Sequence, residues 1–452
     1  MKKMQKLSLP QKPTYKKIAE DVDFFALFQK IEQAFATCFL LESLGEDGKY
    51  SRYSIIGFAP EHSISARGNT LTIDGEKSVV ANPYYELRKL MPDQVLSREY
   101  AGGLVGYLSY EAINYMESGV KVKVHDQFDQ FMFGIYTDGV VYDKVTSEIF
   151  YFFYETDRSY LVHDLLNKES VLQSFSARFL RSTQTKEAFF ADVAVVKEHI
   201  RAGNTFQCEV GFKAEYEVTG NPLLVYQQLR QVNPSPFMYF MKFGNKKTLG
   251  AAPELLFSLR DGELLSRPLA GTTSRGKTEE EDQKLAREML NDPKERAEHM
   301  MIVDMHRSDM GKVSRFGTVR VKDLMTTRRF SHLQHISSDV VGMLDSKEDM
   351  FSALATNFPM PTVCGTPRVE TIKIIDANEP DARGPYGGSI GHFGFNGDAT
   401  FALPLRSFYI SDNYGYTQSS AGIVDDSVAE KEYEEVLRKL AAMEKVLGQF
   451  ST

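Results

Sequence analysis

Between residues 38 and 160, apolar and polar positions alternate in short runs broken by Gly, Asp and Asn. CFLLES, YSIIGF, TLTID, GIYTDGVVYDK and EIFYFFYET are β-branched and aromatic, and each reads as strand. Helical stretches interrupt them near 21–34 and 83–91. From 161 to 200 the period lengthens. DLLNKESVLQSFSARFL and KEAFFADVAVVKEHI place apolar residues at helical spacing around the polar joint Ser182-Thr183-Gln184-Thr185. Beyond it, the strands KTLGAA, ELLFSLR, ELLSRPL, TFALPLRSFYIS and YGYTQSS alternate with helices at 279–290, 293–310 and 428–447. The pattern predicts an α+β fold with large antiparallel sheets. It divides at the polar joint into an N-terminal region, 1–181, and a larger region, 182–452.

Composition narrows the function classes. Of 452 residues 53 are basic and 61 acidic, a net charge of −8, so a nucleic-acid partner, which needs a basic face, is not expected. An anionic substrate would need a few local cations to overcome the global field. No apolar run approaches the ~18 residues that span a bilayer, so no membrane partner is expected. The start, MKKMQKLSLPQKPTYKK, is basic without the apolar core of a secretory signal and reads as a solvated arm. Cys38, Cys208 and Cys364 fit neither a disulfide framework nor a zinc cluster, and suggest a reducing, cytoplasmic setting. The chain has 31 Phe and 22 Tyr but no Trp.

Two helices present carboxylates. Asp292-Pro293 is a helix start, and Glu295 and Glu298 follow three apart on one face. A second helix is expected to open at Ser427 with a capping box to Glu430 and to bury Tyr433, Val436, Leu437, Leu440, Met443 and Leu447. Glu432, Glu435 and Lys439 form a neighbouring stripe. Either stripe alone is an ordinary solvated face. Together they could surround an oxygen-ligated cation such as Mg²⁺. Gly271-Thr272-Thr273-Ser274-Arg275-Gly276-Lys277-Thr278 matches the phosphate-loop pattern, but the acids Glu279 to Asp282 open the next helix and would repel phosphate. A surface turn is the better reading.

The last 260 or so residues carry GNTFQ, NPSPFMYF, GAAPELL, RPLAGT, RGKT, DPKERAEH, FSHLQHISS, RGPYGGSIGHFGF and AGIVDDSVAEKEYEEVLRKL in that order. This series resembles the chorismate-binding enzymes, most closely their anthranilate synthase component I branch. The resemblance implies antiparallel sheets packed as a sandwich with helices outside. It also implies a reaction: Mg²⁺-dependent amination of chorismate at C2, loss of the C4 hydroxyl, and elimination of pyruvate. Glu254 matches the general acid and His335 the histidine of the eliminating half, while His299 and His332 read as structural. Glu295, Glu298, Glu432 and Glu435 match the metal acids. Arg406 and Lys439 match positions that meet the substrate carboxylates; Thr272, Thr362, Tyr386 and the main chain at Ser420, Ala421 and Gly422 complete the pocket.

Within the family, isochorismate and salicylate synthases carry Lys where this chain has Gln207, and aminodeoxychorismate synthases often carry Lys where it has Ala270. Gln207 with Ala270 favours ammonia and C2, with 4-amino-4-deoxychorismate synthase component I as the alternative. Nothing in the chain resembles a glutaminase, so a glutamine amidotransferase subunit is expected to supply ammonia. Leu41, Glu42 and Ser43, with Pro236, Phe237 and Met238, match the segments that bind inhibitory L-tryptophan in regulated members. An enzyme at the entrance to tryptophan synthesis that itself needs no tryptophan could be made when that amino acid is scarce. The chain also departs from the pattern. Glu209-Val210-Gly211-Phe212 replaces a more apolar segment, Ser420 stands for a frequent Gly, His306 and Ser308 replace Gly and Asn, and Arg368 replaces Lys.

Overall fold

The computed structural model describes residues 6–18, 22–44, 52–93, 95–97, 100–169, 171, 174–330 and 333–451; His332 lies outside them. Its strands form two twelve-stranded antiparallel sheets. After three strands at one edge, the first runs Tyr53–Phe58, Thr37–Glu42, Phe237–Phe243, Lys246–Ala252, Ser407–Ser411, Tyr414–Ile423, Gln207–Gly220 and, at the other edge, Phe175–Ser182. The second runs Leu269–Ser274, Leu333–Met343, Glu263–Ser266, Leu255–Arg260, Ala399–Ala402, Ser389–Gly394, Gly103–Leu108 and Phe131–Tyr136, then a three-stranded meander.

Alternation places the side chains of central strands in two different cores. Phe39 and Tyr239 point between the sheets with Tyr107, Tyr136, Phe152, Tyr409 and Tyr416, in an aromatic layer where Phe39 meets Tyr136 edge-on at 4.7 Å. Their neighbours Leu40 and Phe240 face the other way, packing with Phe28, Val162 and Leu229 from the helices Phe24–Ala34, Ser159–Leu166 and Leu223–Val232. Helices thus cover the outside of a sandwich, the expected class.

Both sheets draw strands from either side of residue 181. Thr37–Glu42 pairs with Phe237–Phe243, and Gly103–Leu108 with Ser389–Gly394. Neither of the two regions read from the pattern keeps a sheet to itself.

Local expectations hold unevenly. The helices Glu279–Asn291, Pro293–Val313 and Ala429–Leu447 stand where periodicity put them. The SFSARFL stretch, expected to be helical, lies largely in strand Phe175–Ser182, because it pairs with Gln207–Gly220. Ser427 does not cap the last helix: its hydroxyl accepts from Val424 N, and the helix starts after Val428 without a side-chain cap. Leu437, expected in the buried stripe, is exposed, and Val446 is buried with Val436, Leu440, Met443 and Leu447. No helix among the described residues is long and apolar enough to cross a membrane.

Candidate active site

Strand pairing and three packed helices position the residues expected to carry the chemistry. Gln207–Gly220 pairs with Tyr414–Ile423 so that Glu209 lies opposite Gly422 and Gly211 opposite Ser420. Helix Ala429–Leu447 packs on Tyr414–Ile423, and Lys439 Nζ donates to Ser420 O at 2.8 Å while meeting Glu435 at 2.8 Å. The short helix Pro361–Cys364 supplies Thr362, whose hydroxyl donates to Glu254 Oε2 at 3.3 Å. Leu269–Ser274 pairs with Leu333–Met343, setting Thr272 opposite His335.

Glu254 is buried just ahead of strand Leu255–Arg260, and its Oε1 has no hydrogen-bond partner among the described residues. Burial raises its carboxyl from an ordinary 4.5 to about 8, against hydrogen bonds from the Leu269 amide and Thr362. A carboxyl so held is protonated at neutral pH, as a general acid must be.

His335 is neutral for the converse reason. Burial lowers it to about 4, helped by the positive charges of Arg406 and Lys439 and opposed by its bond to Gly271. Nδ1 lies 2.9 Å from Gly271 O and 3.1 Å from Thr272 Oγ1. A carbonyl only accepts, so Nδ1 carries the proton and Nε2 keeps a lone pair for base chemistry. Gly271 has φ +62°, and a Cβ there would stand 2.9 Å from Glu295 Oε2, so glycine suits this crossing of strand and carboxylate helix.

Asp292 caps the Lys294 and Glu295 amides, as expected. Glu295, Glu298, Glu432 and Glu435 are all half-buried, whereas their neighbours Lys294, Arg296, Lys431 and Glu434 are exposed. Burial raises Glu295, Glu298 and Glu432, and carboxylate repulsion adds to it: Glu295 feels Glu435 from the other helix, Glu298 feels Glu295, and Glu432 feels Glu435. Among the described residues no three such side chains converge as a finished metal cage. Two helices with mutually destabilised carboxylates nonetheless fit a hard, oxygen-seeking cation, which would relieve that repulsion.

Arg406 adopts φ +49°, in the left-handed region, and its guanidinium donates to Asn233 Oδ1 at 3.3 Å. Tyr386 OH and Ser420 Oγ are 2.9 Å apart. Gln207 Nε2 lies 3.5 Å from Glu209 Oε1. His299 is buried with Nε2 2.7 Å from Ser338 Oγ, a structural contact. Two of the departures also have packing partners: His306 Nδ1 is 2.7 Å from Ser266 Oγ, and Arg368 joins Thr356 O and Asp309.

Two residues escape a sequence reading of the site. Arg383, inside the RGPYGG motif, is buried, pairs with Glu379 and donates to Glu209 O at 2.9 Å and Val363 O at 2.5 Å, tying two walls together. Glu209 stands out in sequence only as a departure, yet it is buried and accepts from Ser420 Oγ at 2.7 Å. The phosphate-loop pattern, by contrast, has its amides in use: Gly276 N donates to Asp282 and Lys277 N to Glu281.

A cavity of about 160 Å³ lies between the sheets, apart from these residues. Leu41, Glu42, Ser43, Pro236, Phe237 and Met238 all line it. Glu42 is held by Arg230 at 2.7 Å and by the Tyr226 hydroxyl, whereas the Ser43 hydroxyl is buried without a hydrogen-bond partner among the described residues.

A buried protonated carboxyl, a neutral imidazole and two cations thus lie near two carboxylate-bearing helices. Residues 36–445 match the model of the chorismate binding enzymes, and the chain belongs to that family. It is 46% identical to anthranilate synthase component 1 of Leptospira biflexa, over 98% of each chain. It is 33% identical to aminodeoxychorismate synthase component 1 of Bacillus subtilis, over 97% of each. Among solved structures, anthranilate synthase component I of Streptococcus pneumoniae superimposes with a TM-score of 0.80 at 29% identity, covering 88% of this chain and 93% of that one.

Proposed function

We propose that the chain is the large subunit of an anthranilate synthase, aminating chorismate at C2 and eliminating pyruvate. The observation that carries this reading is neutral Gln207, with Ala270, in a site whose acid and base are Glu254 and His335. A glutamine side chain cannot activate water, whereas ammonia is itself a nucleophile. Glu254 gives its proton to the C4 hydroxyl, which leaves as water while ammonia adds at C2. The ammonium formed at C2 loses its extra proton to solvent, and His335 Nε2 takes the C2 proton; the ring C–O ether bond breaks, and the enolate of pyruvate leaves with the electron pair and takes a proton at carbon from solvent to become pyruvate. Arg406 and Lys439 hold the substrate carboxylates, with Thr272, Thr362, Tyr386 and the main chain at Ser420, Ala421 and Gly422 shaping the pocket. Glu295, Glu298, Glu432 and Glu435 would hold Mg²⁺, which supplies charge stabilisation at a substrate carboxylate.

Ammonia would come from a glutamine amidotransferase subunit, and L-tryptophan would inhibit from the cavity between the sheets. Three buried free thiols suit a cytoplasmic setting. The test combines purified protein with chorismate, Mg²⁺ and ammonium and identifies the product. Anthranilate and pyruvate are expected. Isochorismate would overturn the reading, and 4-amino-4-deoxychorismate would establish the alternative that the Bacillus subtilis relative represents.

A further inference from the structure

Glu209 and Ser420 depart from the family pattern separately in sequence but meet in space. Their strands are neighbours, and Ser420 Oγ donates to Glu209 Oε2 at 2.7 Å. The same hydroxyl is 2.9 Å from Tyr386 OH, and Ser420 O accepts from Lys439 Nζ at 2.8 Å. At Gly422, a Cβ would stand 2.6 Å from Glu209 Oε1 and 2.5 Å from Gln207 Nε2. The Glu209 carboxylate therefore lies directly against the main chain and beside the cation that, on the function proposed above, receive the substrate's anion.

We propose that Glu209 is a built-in rival to a substrate carboxylate: it holds a like charge in the same cradle and, with Ser420, sets how tightly the site takes chorismate. The electrostatics agree with this placement. Desolvation opposes the charge on Lys439, and Glu209 is the carboxylate that most favours it, followed by Glu435. Lys439 thus divides its attraction between resident carboxylates and the incoming one. Like charges a few ångströms apart in a site of reduced dielectric repel strongly. Glu209 acts on binding rather than on the reacting atoms, so it is a positioning residue.

Calorimetric titration of the protein with chorismate and Mg²⁺, without ammonium, tests this without requiring turnover. Glu209→Gln keeps the shape and removes the charge, and its Kd for chorismate is expected to fall at least ~5-fold, roughly 1 kcal/mol. The paired variant Glu209→Val with Ser420→Gly, which restores the more apolar and smaller types, should tighten binding in the same direction. It serves where thermal melting shows the first variant to be unfolded. In steady state the chorismate KM should fall while the ammonium KM stays put, a split that general loosening of the site would not produce. Unchanged or weaker chorismate binding in a folded variant overturns the proposal. Wild-type protein that fails to bind chorismate overturns instead the functional reading on which it rests.

Discussion

Glu254→Gln removes one titration and leaves the shape of the site. In the native chain burial holds this carboxyl at about 8 instead of 4.5. A group with that value is ~90% protonated at pH 7 and ~10% at pH 9, so its capacity to donate falls roughly tenfold across that interval. With free ammonia kept constant by adjusting total ammonium, kcat/KM should decline by about that factor. Glu254→Gln should lose ~10²–10⁴-fold in kcat, and its residual activity should lack this alkaline limb.

The same displacement has a thermodynamic sign. Between 4.5 and about 8 the native state keeps a proton that the unfolded chain has released, so stability falls as pH rises through this window. At ~1.4 kcal/mol for each tenfold difference in proton affinity, the loss is on the order of 5 kcal/mol above pH ~8. The Gln variant carries no such penalty. Its urea midpoint, followed from pH ~5 to ~9, should therefore decline less steeply than that of the wild type. Parallel midpoint curves, together with an alkaline limb surviving in the variant, would refute both the assigned acid and the burial argument behind it.

Other substitutions test the remaining parts. His335→Ala should slow anthranilate formation by ~10²-fold or more and let an aminated intermediate accumulate, detectable by chromatography of quenched reactions. Glu298→Gln should raise the Mg²⁺ concentration for half-maximal activity by at least ~10-fold in a metal titration. Ser43→Leu fills the cavity between the sheets and should weaken tryptophan inhibition by ~10-fold, about 1.4 kcal/mol, with the chorismate KM unchanged. Because the chain contains no Trp, binding can be followed by the ligand's own indole fluorescence without protein indole background.

Residues whose chemistry dictates their type were the most legible. Asp292-Pro293 announces a helix in any context, and the stripe of Glu432, Glu435 and Lys439 follows from helical spacing alone. Spacing raises a shared cation site for the two helices without establishing it, and the roles of its glutamates enter through the family motifs. Elements stabilised by distant partners were harder to read. SFSARFL has an apolar pattern compatible with either period, and only its pairing with Gln207–Gly220 selects strand. Interleaving of early and late strands is equally non-local, since nothing within Thr37–Glu42 names Phe237–Phe243 as its neighbour. Ser427 shows the opposite failure: a good local cap is spent on the preceding turn instead.

Glu209 joins these points to the charge problem posed by composition. A chain of net charge −8 that acts on chorismate must gather cations locally, and Arg406 and Lys439 lie within electrostatic reach of His335 to do so. A further buried carboxylate beside Lys439 works against that gathering. Burial itself raises the Glu209 carboxyl, so its charge is physically coherent only with compensation. Lys439, the Ser420 hydroxyl and Arg383 each favour the ionised form and offset part of that cost, while Glu435 adds to it. Affinity for the substrate thus depends on a balance of opposed charges around one lysine rather than on the number of cations. Removing Glu209 and removing Lys439 should consequently move the chorismate Kd in opposite directions. A Lys439→Met variant that bound chorismate as tightly as the wild type would show that this lysine does not mediate the balance.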